Sequence, residues 1–133
     1  MTAIRALLLG ALLVASLLFS LRQCFAVEEV GGVIVRIAEL SIDPVQLDAY
    51  KLALKQEIDT SIHVEPGVLA LYAVSVKEHP EQIRLFEMYK DAASYQSHLQ
   101  SSHFKAYKIR TQTMVKDLRL IETEPILLGS RSR

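Results

Sequence analysis

The chain has 133 residues with equal numbers of basic and acidic side chains and half of its residues apolar, so one small domain with a modest core is what its length can supply. No clustered basic face is legible, which argues against a nucleic-acid partner. One cysteine, Cys24, excludes an intrachain disulfide framework.

Residues 1–26, MTAIRALLLGALLVASLLFSLRQCFA, place Arg5 before an unbroken apolar run from Ala6 to Phe19. This is the pattern of a secretory signal, with cleavage after Ala26, or of an uncleaved N-terminal anchor. Either way the remainder is expected outside the cytoplasm: periplasmic, secreted or tethered at the outer face of the inner membrane. Cys24 reads poorly as a lipidation site, because Leu21-Arg22-Gln23 puts a charged and a long polar residue where small ones are needed. Cleavage would remove Arg5, Arg22 and Cys24, leaving about 107 residues and two more acids than bases. A mature domain over 27–128 and a disordered tail over 129–133 follow.

Val33 to Leu40 is a β-branched apolar run and reads as a first strand. Asp43 is a candidate N-cap, with Pro44 at the first helical position and Gln46 in capping-box reach. Leu47, Tyr50, Leu54, Ile58 and Ile62 then fall at spacings of three and four, one apolar stripe of a helix, with Lys51, Lys55 and Glu57 on the solvated side. Glu65-Pro66-Gly67 punctuates the chain. Val68 to Val76 follows as a strand apolar on both faces, hence expected to be central. Lys77 to Glu81 reads as a polar turn, and Ile83 to Tyr89 as a third strand antiparallel to the second. Helical segments over Ala92–Leu99 and Ser102–Lys116 and a last strand over Leu118–Leu128 complete the order β-α-β-β-α-β. That is an α+β, ferredoxin-like antiparallel sheet with helices on one face. The other face needs a cover, and a second copy in a symmetric dimer supplies one.

Five side chains stand out as chemistry-bearing: Tyr72, Glu87, Tyr89, His98 and His103. Glu87 shares a strand face with Ile83, Leu85 and Tyr89, so burial should raise its pKa, unless it pairs with a basic side chain. His98 and His103 flank a helix break at Ser101-Ser102 and could bracket a small ligand as proton movers. The alternative is that one ring bonds across the break and the other is exposed. His98, His103 and Glu87 would hold a metal only if the break aimed all three inward, and their spacing fits no strong metal motif. His63 and His79 fall at a helix end and a turn, where solvated histidines are usual. Tyr72, Phe86, Tyr89, Tyr95 and Phe104 could line an aromatic cavity or fill core. No phosphate loop, serine elbow or dinucleotide pattern is present.

The segments EPGVLALY, LFEMYKD and HLQSSHFKAY together resemble the antibiotic biosynthesis monooxygenase domain family, over roughly Val33 to Leu128. HLQ-x-x-H-x-KAY is similar to the quinol monooxygenases of that family, and RLFEMYKD also to isomerases that process phosphorylated autoinducer. The resemblance implies a dimeric α+β barrel. It also implies oxidation of quinol-like or other small aromatic substrates by O₂ without metal, flavin or haem, so no cofactor is expected. Carried over by position, it implies His98 as base or substrate orienter, Glu87 as its electrostatic partner and His103 as second candidate. Tyr72, Tyr89 and Phe104 become substrate-binding groups. The absence of tryptophan departs from the related haem-degrading branch, and the export signal from the cytoplasmic isomerases. A cofactor-free isomerase and a non-catalytic dimeric ligand-binding or stress-response module are the other functions this pattern allows.

Overall fold

The computed structural model describes residues 32–129, so the signal or anchor segment, Cys24 and the last four residues of the tail lie outside the described residues. Strand β1 (Ile34–Ile42) leads into a 3₁₀ turn over Pro44–Gln46, where the Val45 amide donates to the Asp43 carboxylate at 3.2 Å. Asp43 therefore caps as expected, but Gln46 bonds the Asp43 side chain and the Thr113 carbonyl instead of closing a capping box. Helix α1 (Leu47–Val64), strand β2 (Val68–Val76) and strand β3 (His79–Tyr89) follow. Helix α2 (Ala92–Gln100), helix α3 (Ser102–Thr111) and strand β4 (Val115–Thr123) complete the fold.

The sheet order is β2-β3-β1-β4 and every pairing is antiparallel, the ferredoxin-like arrangement that the sequence predicts. One expectation fails here: β2 is an edge strand, not a central one. Its two-sided apolar pattern reports what lies above and below the strand, not how many neighbours flank it. The β2-β3 connection is also tighter than expected, with only Lys77 and Glu78 between the strands. Helix α3 ends at Thr111 and β4 starts at Val115, three residues earlier than the sequence suggests and ending at Thr123 rather than Leu128.

The register decides which side chains face the helices. On β1 and β3 these are Arg36, Ala38 and Leu40 beside Glu87, Leu85 and Ile83. The apolar core occupies one end of that face, where Ala38, Leu40, Ile42, Ile83 and Leu85 meet Tyr50 and Leu54 of α1. At the other end, Arg36, Glu87 and Tyr89 put polar chemistry on the same sheet face. The opposite face carries Tyr72, Phe86, Ile37 and Ile121 side by side on all four strands.

Helix α1 is rotated relative to its expected stripe. Its buried residues are Tyr50, Ala53, Leu54, Glu57 and Ser61, while Ile62 is 45% exposed. Glu57, expected on the solvated side, is only 6% exposed. The small side chains of Ala53 and Ser61, one turn to either side, bring this part of α1 close to its neighbours, and a carboxylate is enclosed as a result.

Candidate functional site

The buried polar groups gather where the C-terminal half of α1, the break between α2 and α3, and the Arg36 end of the sheet converge. The break itself is built by side chains. Ser101 ends α2 in extended conformation, and its hydroxyl accepts the Phe104 amide at 3.3 Å to start α3. Asp91 starts α2 by accepting the Ser94 amide at 2.7 Å, and these bonds hold its carboxyl below the usual range. Gly67 lets the Glu65-Pro66-Gly67 turn lie against α2. Its φ is not positive, but a Cβ there would overlap the Ser94 side chain. The close approach fixes Glu65 next to His98.

His98 is 4% exposed. Its Nδ1 donates to Glu65 Oε1 at 2.8 Å, and its ring lies 4.6 Å from that of Phe104 and 5.4 Å from that of Tyr89, centroid to centroid. With Nδ1 committed to a carboxylate, Nε2 is the nitrogen that can take a proton, the orientation logic of a carboxylate-held imidazole base. The partner of His98 is thus Glu65, a residue the sequence presents as turn punctuation, and not Glu87.

Glu87 accepts the Tyr89 hydroxyl at 3.1 Å. Burial pushes its carboxyl up, against the opposing pull of Tyr89, His98 and Arg36. The same burial, reinforced by Glu87, pushes the Tyr89 hydroxyl up as well. Arg36 stacks its guanidinium 4.2 Å from the centre of the Tyr95 ring and bonds Glu122 at 2.9 Å, while its buried Nε has no hydrogen-bond partner among the described residues.

His103 Nδ1 donates to Glu57 Oε1 at 2.9 Å, and Ser61 donates to the same oxygen at 3.0 Å. On its other side, His103 Nε2 comes within 3.2 Å of Glu65 Oε1, but at an angle too poor for a hydrogen bond. This buried nitrogen has no hydrogen-bond partner among the described residues. Behind it, the Tyr50 and Tyr107 hydroxyls share a 2.8 Å bond.

Of the predicted site residues, Glu87, Tyr89, His98, His103 and Phe104 come together. Tyr72 does not: it is 65% exposed on the opposite sheet face, tilted against Phe86. His63 and His79 are exposed, as expected. Glu57 and Glu65 are the functional candidates that sequence reasoning missed. The signals were present, in the Ala53 and Ser61 that flank Glu57 at four-residue spacing and in the Gly67 that draws Glu65 inward. Among the described residues no group of three His, Cys, Asp or Glu side chains is placed to hold a metal ion.

A cavity of about 210 Å³ opens between α1 and α3, lined by Gln56, Glu57, Thr60, His103, Tyr107 and Arg110 among others. A larger apolar groove of about 730 Å³ runs between α1 and β2, with Leu54, Ile58, Ile62, Leu71 and Ala73 along it.

A family model described as antibiotic biosynthesis monooxygenase matches residues 33–109. A crystal structure from Bacteroides thetaiotaomicron named for the same family is 43% identical, with a TM-score of 0.73 over 77% of this chain and 97% of that one. A Nitrosomonas europaea protein of the same naming superposes with a TM-score of 0.68 at 20% identity, covering 72% of this chain and 92% of its own. A Mycobacterium tuberculosis structure reaches 0.67 at 18% identity, covering 74% and 100%; these last two likenesses show the fold. No curated protein matches the chain.

Proposed function

The chain belongs to the antibiotic biosynthesis monooxygenase family, and from that premise we propose that it is a cofactor-independent monooxygenase of quinol-like or other small aromatic substrates. The observation that carries the reading is the buried imidazole of His98, held by a carboxylate on one nitrogen and flanked by two aromatic rings. Such a base can take the proton of a phenol, and the resulting electron-rich anion can itself reduce O₂ in a site from which water is excluded. One oxygen atom enters the product and the other leaves as water, whose two hydrogens balance in number the two lost by the substrate. Tyr89 and Phe104 offer the faces against which a ring would lie. Glu87, tied to the Tyr89 hydroxyl, supplies a polar group beside those faces.

We further propose that the protein acts outside the cytoplasm as a homodimer. The N-terminal apolar run supports the first point, and the apolar row across the far sheet face supports the second. Because fold alone does not fix chemistry, oxygen uptake with a panel of hydroquinones, after metal chelation, is the deciding test. Uptake that survives chelation and drops by about 10²-fold or more in His98→Ala fits the base role. No uptake with any hydroquinone would end the oxygenase reading.

A further inference from the structure

We propose that Glu65, His103 and Glu57 form a proton relay that carries the proton taken by His98 to solvent in the cavity between α1 and α3. The inference rests on the reading of His98 as substrate base, and adds to it two carboxylates and a direction of proton flow.

The four groups form one string of close contacts, hydrogen-bonded at both ends and not in the middle. His98 Nδ1 meets Glu65 Oε1 at 2.8 Å, Glu65 Oε1 meets His103 Nε2 at 3.2 Å, and His103 Nδ1 meets Glu57 Oε1 at 2.9 Å. Glu57 and His103 both line the cavity. The middle contact is the telling one. A neutral His103 that gives its Nδ1 proton to Glu57 presents a lone pair at Nε2, and an ionised Glu65 would present another acceptor to it. Two buried acceptors facing each other are costly, and only a proton on Nε2 or on Oε1 relieves the contact. A site built to hold one mobile proton at that point is a site that can pass it.

Transfer needs no electrons and no co-reactant. When His98 Nε2 gains the substrate proton, its Nδ1 proton moves to Glu65 Oε1. A turn of that carboxyl delivers the proton to His103 Nε2, the His103 Nδ1 proton moves to Glu57, and Glu57 releases it to water. One N–H or O–H bond forms for each that breaks, and when the second oxygen atom leaves as water the string runs in reverse: His98 Nε2 gives its proton to that oxygen, a proton from solvent enters at Glu57, and each ring regains its starting tautomer. Ser61, wholly buried, fixes Glu57 in this line. The other titratable or charged groups facing the string are Tyr89 and Glu87 from β3, Arg36 from β1, Tyr95 from α2, Tyr50 from α1, and Tyr107 and Arg110 from α3, the last bonded to Gln56. The two tyrosines at the cavity end bond each other, and Tyr89 is tied to Glu87, so neither pair competes for the relay proton.

Glu57→Gln keeps the shape and the Ser61 bond but cannot carry a proton. Nitrogen-15 spectra of the histidine rings, recorded at one fixed pH, read the string without turnover. The relay predicts that this substitution displaces the ring signals of His103 and also those of His98, three links from Glu57. In the unaltered protein it predicts a protonated His103 Nε2 or a protonated Glu65 carboxyl. A lone pair at Nε2 facing an ionised Glu65 would overturn it, even if the variant did not fold. Hydroquinone-dependent oxygen uptake should fall about tenfold in Glu57→Gln at low buffer, with KM unchanged, and recover with added imidazole small enough to enter the cavity. Full activity in Glu57→Gln, with only the His103 signals displaced, would sink the relay and leave the oxygenase reading standing. No turnover in either protein, with the His98 signals displaced, would sink that reading and leave the proton coupling in place.

Discussion

Buried Tyr89 and half-buried Glu87 form an acid pair whose protonation should be visible in stability. Burial raises the Glu87 carboxyl in the folded chain, so the unfolded chain gives up that proton at lower pH. The stability this group contributes is complete below the ordinary glutamate value of about 4.3 and is lost as pH rises through the folded value. Glu87→Gln cannot ionise, so its melting temperature should match the parent near pH 4 and exceed it increasingly toward neutrality. Melts across that range check the sign, and a constant offset would contradict it. Tyr89 is raised for related reasons. Its contribution persists to the ordinary tyrosine value of about 10 and fades above it. At neutral pH Tyr89→Phe removes the donor to Glu87 and should cost about 1 kcal/mol in denaturant titrations. The two histidines were legible because HLQSSH puts them across a serine-marked helix break. Glu57 was not, because it stands among Lys55, Gln56 and Asp59, and polar company hides a residue that helix rotation buries.

The element that positions the site most directly is the turn between α1 and β2. In the sequence Gly67 reads as punctuation, and the structure uses it for space, since α2 passes where a Cβ would stand. Gly67→Ala should therefore push α2 away from the turn and cost roughly 1–3 kcal/mol by overpacking. It should also lengthen the Glu65 to His98 contact, so the His98 ring signals should move with the loss of stability. An Ala variant as stable as the parent would show that α2 has room to shift. At this scale the strand order was readable and the strand positions were not. Alternation along β2 specifies which residues share a face, yet the edge position follows from pairing between distant strands, and no local pattern records it. Helix and strand ends shifted for a related reason: Met114 bonds the backbone of Asp43, a long-range contact that ends the last helix early and starts β4.

Across the whole molecule the sheet is asymmetric, with helices on one face and an apolar row on the other. Tyr72 and Val74, 65% and 61% exposed, continue that row of half-buried Ile37, Phe86 and Ile121 to the β2 edge, and an apolar row that ends in exposed side chains is what an interface presents. If two copies cover this face, they should bury on the order of 1,600 Å² in total, enough for a stable pair. Light scattering should then give twice the chain mass, and the melting temperature should rise with protein concentration, because association adds to folding stability. Val74→Lys places a charge on the row but outside the His98 cluster, so it should yield monomer with the histidine ring signals intact. A parent protein that is monomeric at all concentrations would leave the row without this role. Dimers that persist in Val74→Lys would move the interface to another surface, the groove between α1 and β2 being the next largest apolar one. The same variant separates assembly from chemistry: oxygen uptake retained by the monomer would place every group that the reaction needs within one chain, and uptake lost on dissociation would make the covered sheet face part of the working site.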